Sequence, residues 1–220
     1  MQKIAVFDKN YRKRYLFFKW RYSLSFVNML ALAFAMACVT GLLAQIKIYF
    51  PWTPVPITGQ TFAVLLAGVL LGRWWGGVSM SLYLLLGMIG IPWFVGMNSG
   101  FSYILGPTGG YLIGFILAAL FIGYFTDRYI KSRSLFSILG LMIFANFILI
   151  YGAGLLHLGA WLYLVKGSRA TLWELLGIGF IPFIIGDVTK IAAASALAKV
   201  ITPKESYNGD LDIKKAKKSL

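Results

Sequence analysis

An aspartate and a lysine, Asp187 and Lys190, lie three positions apart in the otherwise apolar stretch PFIIGDVTK at residues 182–190. On a helix this spacing places both side chains on one face, where they can pair or hold a common ligand. Each charge costs about 2.5 to 3.5 kcal/mol near the centre of a membrane-spanning helix, so both are expected to face the protein interior or a wet cavity. The pattern favours a polar pocket for a small molecule, and an internal ion pair joining two helices is the alternative.

Four further polar residues are candidates for the same pocket, because each falls in an outward-facing loop or in the outer half of a helix. They are Asn98, Gln60, Thr58 and Tyr151. The first outer loop (residues 47–60) carries three prolines and is expected to be stiff. The second outer loop (residues 91–110) has no charged residue, so we expect it to pack against the protein as a cap. Asn146 and His157, in or near the fifth apolar run, are interpreted as interior polar residues.

The composition requires a membrane environment for these residues. Hydrophobic residues make up 59% of the 220, charged residues only 13%, and the mean hydropathy is +0.77. A soluble domain does not bury so much apolar surface in one core, and backbone groups in lipid must be paired within helices. We therefore predict an all-α polytopic membrane protein, a bundle of six transmembrane helices. The six apolar runs are at about 23–46, 60–72, 74–90, 107–125, 135–157 and 182–201. The second and third are short, and a re-entrant pair is the alternative to a tilted hairpin.

The positive charges predict the orientation of the chain. A net charge of +14 would suggest nucleic acid for a soluble protein, but here the basic residues alternate with the apolar runs. With the N-terminus in the cytoplasm, only Lys47, Lys166 and Arg169 of the 21 basic residues fall outside, and Lys190 lies in the membrane. Both termini are thus predicted to be cytoplasmic, with the lipid bilayer and not nucleic acid as the environment. The predicted divisions are a basic extension (1–22), a six-helix membrane domain (23–201) and a basic tail (202–220).

The sequence lacks the motifs that several classes of enzyme require. It has no G-x-x-x-x-G-K-[ST] phosphate loop, no H-E-x-x-H, one histidine and one cysteine. We expect no catalytic residue, no metal and no cofactor, and a membrane enzyme or chaperone is the alternative from another functional class.

Small residues recur at helical spacing in the first apolar run. Ala33 and Ala37 share one face, and Ala31 and Ala35 share another. Small residues four positions apart allow a second helix to approach closely. The stripes are explained either by packing within the chain or by docking to a partner.

Three stretches resemble the BioY family, the biotin-capturing S components of energy-coupling factor transporters. They are PVPITGQTFAVLLAGVLLG (54–72), LGPTGGYLIGF (105–115) and PFIIGDVTK (182–190). The resemblance implies a six-helix bundle with one pocket near the outer face, capped by the two outer loops. It also implies that Asp187, Lys190 and Asn98 bind biotin, whose ureido ring has two N–H donors and one carbonyl acceptor.

The resemblance further implies a function and partners. The chain is expected to be the high-affinity biotin-binding subunit of an ATP-driven uptake transporter in a prokaryotic cytoplasmic membrane. Its expected partners are a membrane coupling protein and two cytoplasmic ATPase subunits, with Ala33 and Ala37 as the helix contact. The alternatives are a self-sufficient facilitator for biotin or another small polar molecule, and an S component for thiamin or riboflavin. The extension before Trp20 is not part of the resemblance.

Overall fold

The computed structural model describes residues 9–207, and this part of the chain is mostly helical. This part also contains a π-helical segment, Ala145–Ile150, and two short 3-10 turns, Ile130–Arg133 and Ile181–Phe183. The helices are α1 (Lys9–Ser23), α2 (Phe26–Ala44), α3 (Gln60–Met88), α4 (Phe101–Ile104), α5 (Gly109–Arg128), α6 (Leu135–Phe144), α7 (Tyr151–Lys166), α8 (Leu172–Gly179) and α9 (Ile184–Ile201). Two antiparallel strands, β1 (Lys47–Ile48) and β2 (Ile57–Thr58), pair within the first outer loop.

Five helical segments among the described residues are long and apolar enough to cross a membrane. They are Phe26–Ala44, Gln60–Met88, Gly109–Arg128, Leu135–Lys166 and Leu172–Ile201. Large apolar side chains such as Leu42, Leu156 and Ile185 point outward, as a lipid-facing surface requires. The chain is an all-α polytopic membrane protein.

The third helix, α3, folds back on itself at Gly72. This residue has φ 80° and ψ −176°, a conformation open to glycine and strained for other residues. The Gln60 amide donates a 2.8 Å hydrogen bond to the Tyr83 hydroxyl, although a straight helix would separate these residues by about 35 Å. The arms 60–71 and 73–88 are therefore antiparallel, an arrangement shared by the predicted tilted hairpin and by its alternative, the re-entrant pair.

Glycines allow α5 to pack closely against its neighbours. A Cβ atom on Gly114 would lie 2.6 Å from the Ile150 Cα atom, and one on Gly68 would lie 2.7 Å from the Ala119 carbonyl oxygen. Gly110 likewise lies against α7, whereas Gly106 lies in the turn before α5. Gly110 and Gly114 thus allow α7 and the π-helical segment to approach α5 closely.

The small-residue stripe chosen for partner contact faces the interior. Ala33 and Ala37 are both 0% exposed on the inward face of α2, packed within the chain itself. The expectation that they contact a partner is corrected, because neither side chain is accessible in this fold. The second stripe, Ala31 and Ala35, is exposed.

A polar cluster closes the end of the bundle opposite the outer loops. The Arg21 guanidinium lies 2.9 Å from the Asp127 carboxylate, and the Tyr207 hydroxyl donates to the same carboxylate oxygen at 2.8 Å. Burial, together with the Asp127 charge, raises the pKa of Tyr207, which keeps this hydroxyl neutral. The predicted tail (202–220) thus begins with packed residues, and its lysines beyond Tyr207 lie outside the described range, as do residues 1–8.

Candidate substrate-binding site

The Asp187 carboxylate is the centre of a buried polar cluster. Its side chain belongs to the first turn of α9, and the residue is 2% exposed. One oxygen, Oδ2, accepts hydrogen bonds from the Tyr151 hydroxyl (2.5 Å) and the Asn146 amide (2.8 Å). The other, Oδ1, pairs with Lys190 and lies 3.5 Å from the Thr61 hydroxyl. Three donors and one cation thus stabilise a carboxylate that is removed from water.

Lys190 connects this carboxylate to the first outer loop. Its ammonium pairs with Asp187 and donates a 2.9 Å hydrogen bond to the Thr58 carbonyl oxygen at the end of β2. The lysine side chain keeps 18% of its surface exposed. The two charges therefore do form an internal ion pair, but a cavity lies beside it.

That cavity joins a polar end to apolar walls. It has a volume of about 60 Å³ and is lined by Asp187, Lys190, Tyr151 and Thr61 at the polar end. Its apolar walls include Ile57, Leu112, Phe115, Ile150 and Phe183. Such a cavity suits a ligand with hydrogen-bonding groups at one end and an apolar body. This volume is below the roughly 300 to 1,000 Å³ that is usual for ligand pockets.

The π-helical segment aligns Asn146 with Tyr151. Five residues apart, these side chains would point about 140° apart on a regular α-helix, since each residue turns about 100°. The wider π turn brings both onto the same oxygen of Asp187. The Tyr151 ring is fixed by edge contacts with Tyr111 and Phe180, with ring centroids at 5.7 and 5.0 Å. π-helical segments often occur at functional sites, where they redirect side chains in this way.

Asn146 has spare capacity for a hydrogen bond. It is 0% exposed, and within residues 9–207 its Oδ1 atom has no hydrogen-bond partner. The interpretation of Asn146 as an interior polar residue is therefore incomplete, because its amide contacts the central carboxylate. His157, by contrast, contacts only the Gly106 carbonyl oxygen among the hydrogen bonds described, at 2.9 Å, as an interior polar residue would.

Thr58 and Gln60, two of the predicted site residues, both line the cavity. The Thr58 hydroxyl donates to Gln60 Oε1 at 2.9 Å, and the Gln60 amide donates in turn to Tyr83. Gln60 is 3% exposed and is thus held in place by neighbours on both sides. Through these two hydrogen bonds Gln60 holds the edge of the cavity in place where the first outer loop meets α3.

Asn98 lies apart from this cluster. Its exposed side chain donates to the Val95 carbonyl oxygen at 2.7 Å and lines a second, outer cavity of about 320 Å³. The two cavities share the wall residues Pro56, Val95, Tyr103 and Thr108. The structure brings Asp187, Lys190, Tyr151, Thr58 and Gln60 together and leaves Asn98 on the outer side of this wall.

Two residues of the cluster were not predicted as site residues. Thr61 follows Gln60 directly, so its position near the pocket could have been predicted from that of Gln60. Asn146 was interpreted as an interior polar residue and not as a site residue, and regular helical spacing does not pair it with Tyr151. No sequence signal identifies the π turn that does so.

The relatives found by comparison with known proteins carry the same description. The chain is 52% identical over 151 residues to the probable biotin transporter BioY of Methanothermobacter thermautotrophicus, covering 69% of this chain and 96% of that protein. It is 33% identical over 151 residues to the biotin transporter BioY of Thermotoga maritima, covering 69% and 83%.

A solved structure shares the fold. It is the crystal structure of the S-component for biotin from an ECF-type ABC transporter, with a TM-score of 0.69 and 27% identity. The match covers 80% of this chain and 93% of that one. The fold described above is therefore that of an S component.

The family match also extends further than the motifs suggest. Residues 13–206 match the BioY family, so the match includes part of the basic extension that the three motifs leave out. The chain belongs to the BioY family.

Proposed function

We propose that this chain is the biotin-binding S component of an ATP-driven uptake transporter of the ECF type. The observation that carries the proposal is the buried ion pair of Asp187 and Lys190 beside a cavity with apolar walls. Support comes from the relatives, which include biotin transporters, and from the S-component fold.

The chemistry of the polar end matches that of biotin. A carboxylate accepts hydrogen bonds from N–H groups, and an ammonium donates to a carbonyl oxygen. Asp187 would accept from the ureido N–H groups, and Lys190 would donate to the ureido carbonyl. The aromatic and aliphatic walls would receive the sulfur-containing ring and the chain. In an ATP-driven transporter of this type, ATP hydrolysis in partner chains would supply the energy for release.

The proposed topology has six crossings with both termini in the cytoplasm. The folding back of α3 at Gly72 supports counting its two arms separately. The cavity then lies near the outer face, because Lys190 bonds to the first outer loop. The outer cavity near Asn98 lies on the path from the outside to the ion pair.

The membrane coupling protein is proposed to contact the exposed face of α2. Ala31 and Ala35 replace the buried pair Ala33 and Ala37 in this role. Their spacing permits close approach of another helix, and their exposure makes the face accessible. Two ATPase subunits bound to the coupling protein complete the proposed transporter.

Equilibrium binding of radiolabelled biotin to the purified full-length chain tests the proposal. We expect saturable binding of one biotin per chain that excess unlabelled biotin displaces and excess thiamin or riboflavin does not. Displacement by thiamin or riboflavin would instead identify that vitamin as the substrate of the chain. Biotin uptake by vesicles that contain only this chain would instead support a self-sufficient facilitator.

A further inference from the structure

The N-terminal helix α1 has a bundle-facing side and an apolar side without a partner in the described structure. Phe18 (1% exposed) and Arg21 (4% exposed) face the bundle. On the other side, Leu16 (50%), Phe17 (42%) and Trp20 (49%) form an exposed patch, hereafter the α1 apolar patch. Positions three and four apart lie together on a helix, so these three side chains form one continuous surface.

Side-chain contacts fix the direction of this patch. Arg21 donates hydrogen bonds to the Leu70 carbonyl oxygen and to Asp127, both at 2.9 Å. Phe18 contacts Tyr207, with ring centroids 5.2 Å apart. Because the buried side of α1 is held at two points, the α1 apolar patch faces away from the bundle.

The chain changes course between α1 and the first long apolar helix. Ser25 is in an extended conformation (φ −65°, ψ 160°) and caps α2 by accepting a hydrogen bond from the Asn28 backbone. Helix α1 is thus a separate element at the bundle end formed by Leu70 and Asp127. In the proposed topology this end meets the cytoplasmic leaflet.

The patch is bordered by positive charge. Arg12, Lys13 and Lys19 are exposed, and α1 contains no acidic residue. Anionic lipids give the cytoplasmic leaflet a negative surface potential, which attracts basic residues close to the membrane. Apolar and basic side chains on one exposed surface match the chemistry of an anionic phospholipid. The apolar side chains can contact its acyl chains, and the basic side chains can contact its phosphate.

A cleft beside α1 is a candidate binding site for a lipid head group. It has a volume of about 220 Å³ and is lined by residues that include Tyr22, Arg73, Trp74 and Trp75. Asp127, the one acidic residue among its described lining residues, is paired with Arg21, so Arg73 leaves the cleft with a net positive charge. The Arg73 guanidinium lies over the rings of Trp74 and Tyr124, at 4.5 and 5.0 Å, and forms no ion pair with any residue in 9–207. An arginine held in this way can bind a phosphate, and tryptophan favours the membrane interface.

We propose that α1 is an in-plane membrane anchor that binds anionic phospholipid. The α1 apolar patch enters the acyl boundary, Arg12, Lys13 and Lys19 contact head-group phosphates, and Arg73 binds a head group in the adjacent cleft. The proposal rests on the cytoplasmic position of α1 and not on biotin binding.

Native mass spectrometry of the purified full-length chain tests this surface. Dioleoyl phosphatidylglycerol and the zwitterionic dioleoyl phosphatidylcholine are titrated in parallel. We expect the K13Q/K19Q variant to lose apparent affinity for phosphatidylglycerol by about fivefold or more, since basic residues near the membrane surface attract anionic lipid. The matched control, K166Q/R169Q, removes two exposed charges at and just beyond the C-terminal end of α7 and should stay within about twofold of wild type.

Two further variants separate the components of the site. F17S/W20S should weaken binding of both lipids, because the acyl contact is shared by both. R73Q should remove one tightly bound phosphatidylglycerol. The thermal unfolding midpoint in the same detergent checks that each variant is folded.

Three results would overturn the proposal. One is equal phosphatidylglycerol affinity in wild type and K13Q/K19Q, and another is an equal loss in K166Q/R169Q, which shows an effect of net charge alone. The third is unchanged binding of both lipids in F17S/W20S with lost co-purification of the coupling protein, which assigns this face to a protein partner.

Discussion

The Tyr151 hydroxyl on α7 donates a 2.5 Å hydrogen bond to the Asp187 carboxylate on α9. The tyrosine helps to keep a buried negative charge in place beside the cavity. We expect Tyr151→Phe to weaken biotin binding by about 1.5 to 3 kcal/mol, the usual value of a hydrogen bond to a charged group. Calorimetric titration checks this, with Tyr163→Phe as control, because Tyr163 is on the same helix and is 52% exposed. Equal affinities in Tyr151→Phe and wild type would remove the tyrosine from the site.

Asn146 is expected to act by positioning Asp187. Asn146→Leu removes the amide donor while keeping a similar volume, so a buried carboxylate loses one partner at a cost of about 1 to 3 kcal/mol. Binding should weaken in Asn146→Leu and recover in part in Asn146→Gln, which restores an amide. Titrations of the two variants are compared at matched unfolding midpoints. Wild-type affinity in both Asn146→Leu and Asn146→Gln would show that the π-helical segment serves packing alone.

The two alanine stripes of α2 should respond differently to enlargement. Ala31→Trp or Ala35→Trp places bulk on the exposed face, so we expect biotin binding to persist while ATP-driven uptake and co-purification of the coupling protein are lost. Ala33→Trp places the same bulk in the packed interior and should lower the unfolding midpoint, since overpacking costs about 1 to 3 kcal/mol or more. If Ala31→Trp and Ala35→Trp both retain the coupling protein, the proposed contact face is incorrect.

Gly72 should be intolerant of a side chain. In Gly72→Ala the positive φ becomes strained, and the new Cβ atom meets the Asp127 carboxylate. We expect a loss of stability of about 1 to 3 kcal/mol, measured as a lower unfolding midpoint. Gly140→Ala is the control, because a Cβ atom at this helical position would have no neighbouring atom within 4 Å. A midpoint in Gly72→Ala as high as in Gly140→Ala would argue against the reversal of α3 at this residue.

The sequence predicted those features that follow from local composition. Apolar runs and the placement of basic residues indicate helices and their direction, and the charges Asp187 and Lys190 stand out because lipid penalises them. Thr58, Gln60 and Tyr151 could be chosen because each falls near the same end of a predicted helix or loop.

What was missed depends on rotation about helix axes and on tertiary packing. Ala33 and Ala31 have the same residue type and the same spacing to their partners, so only the packed bundle distinguishes the buried stripe from the exposed one. Asn146 depends on a π turn without a sequence signal. The position of Asn98 on the outer cavity depends on the fold of the second outer loop, and its role in ligand binding stays a prediction.

The central claim is that the Asp187–Lys190 pair holds the ligand, and biotin titration of wild type, Asp187→Asn and Lys190→Ala tests it most directly. Each substitution leaves a buried polar partner unpaired, so we expect each to weaken binding by at least about 2 kcal/mol, roughly 30-fold. Lys199→Ala is the matched control, because Lys199 is an exposed lysine on the same helix, and it should bind biotin as wild type does. Wild-type affinity in both Asp187→Asn and Lys190→Ala would contradict the account.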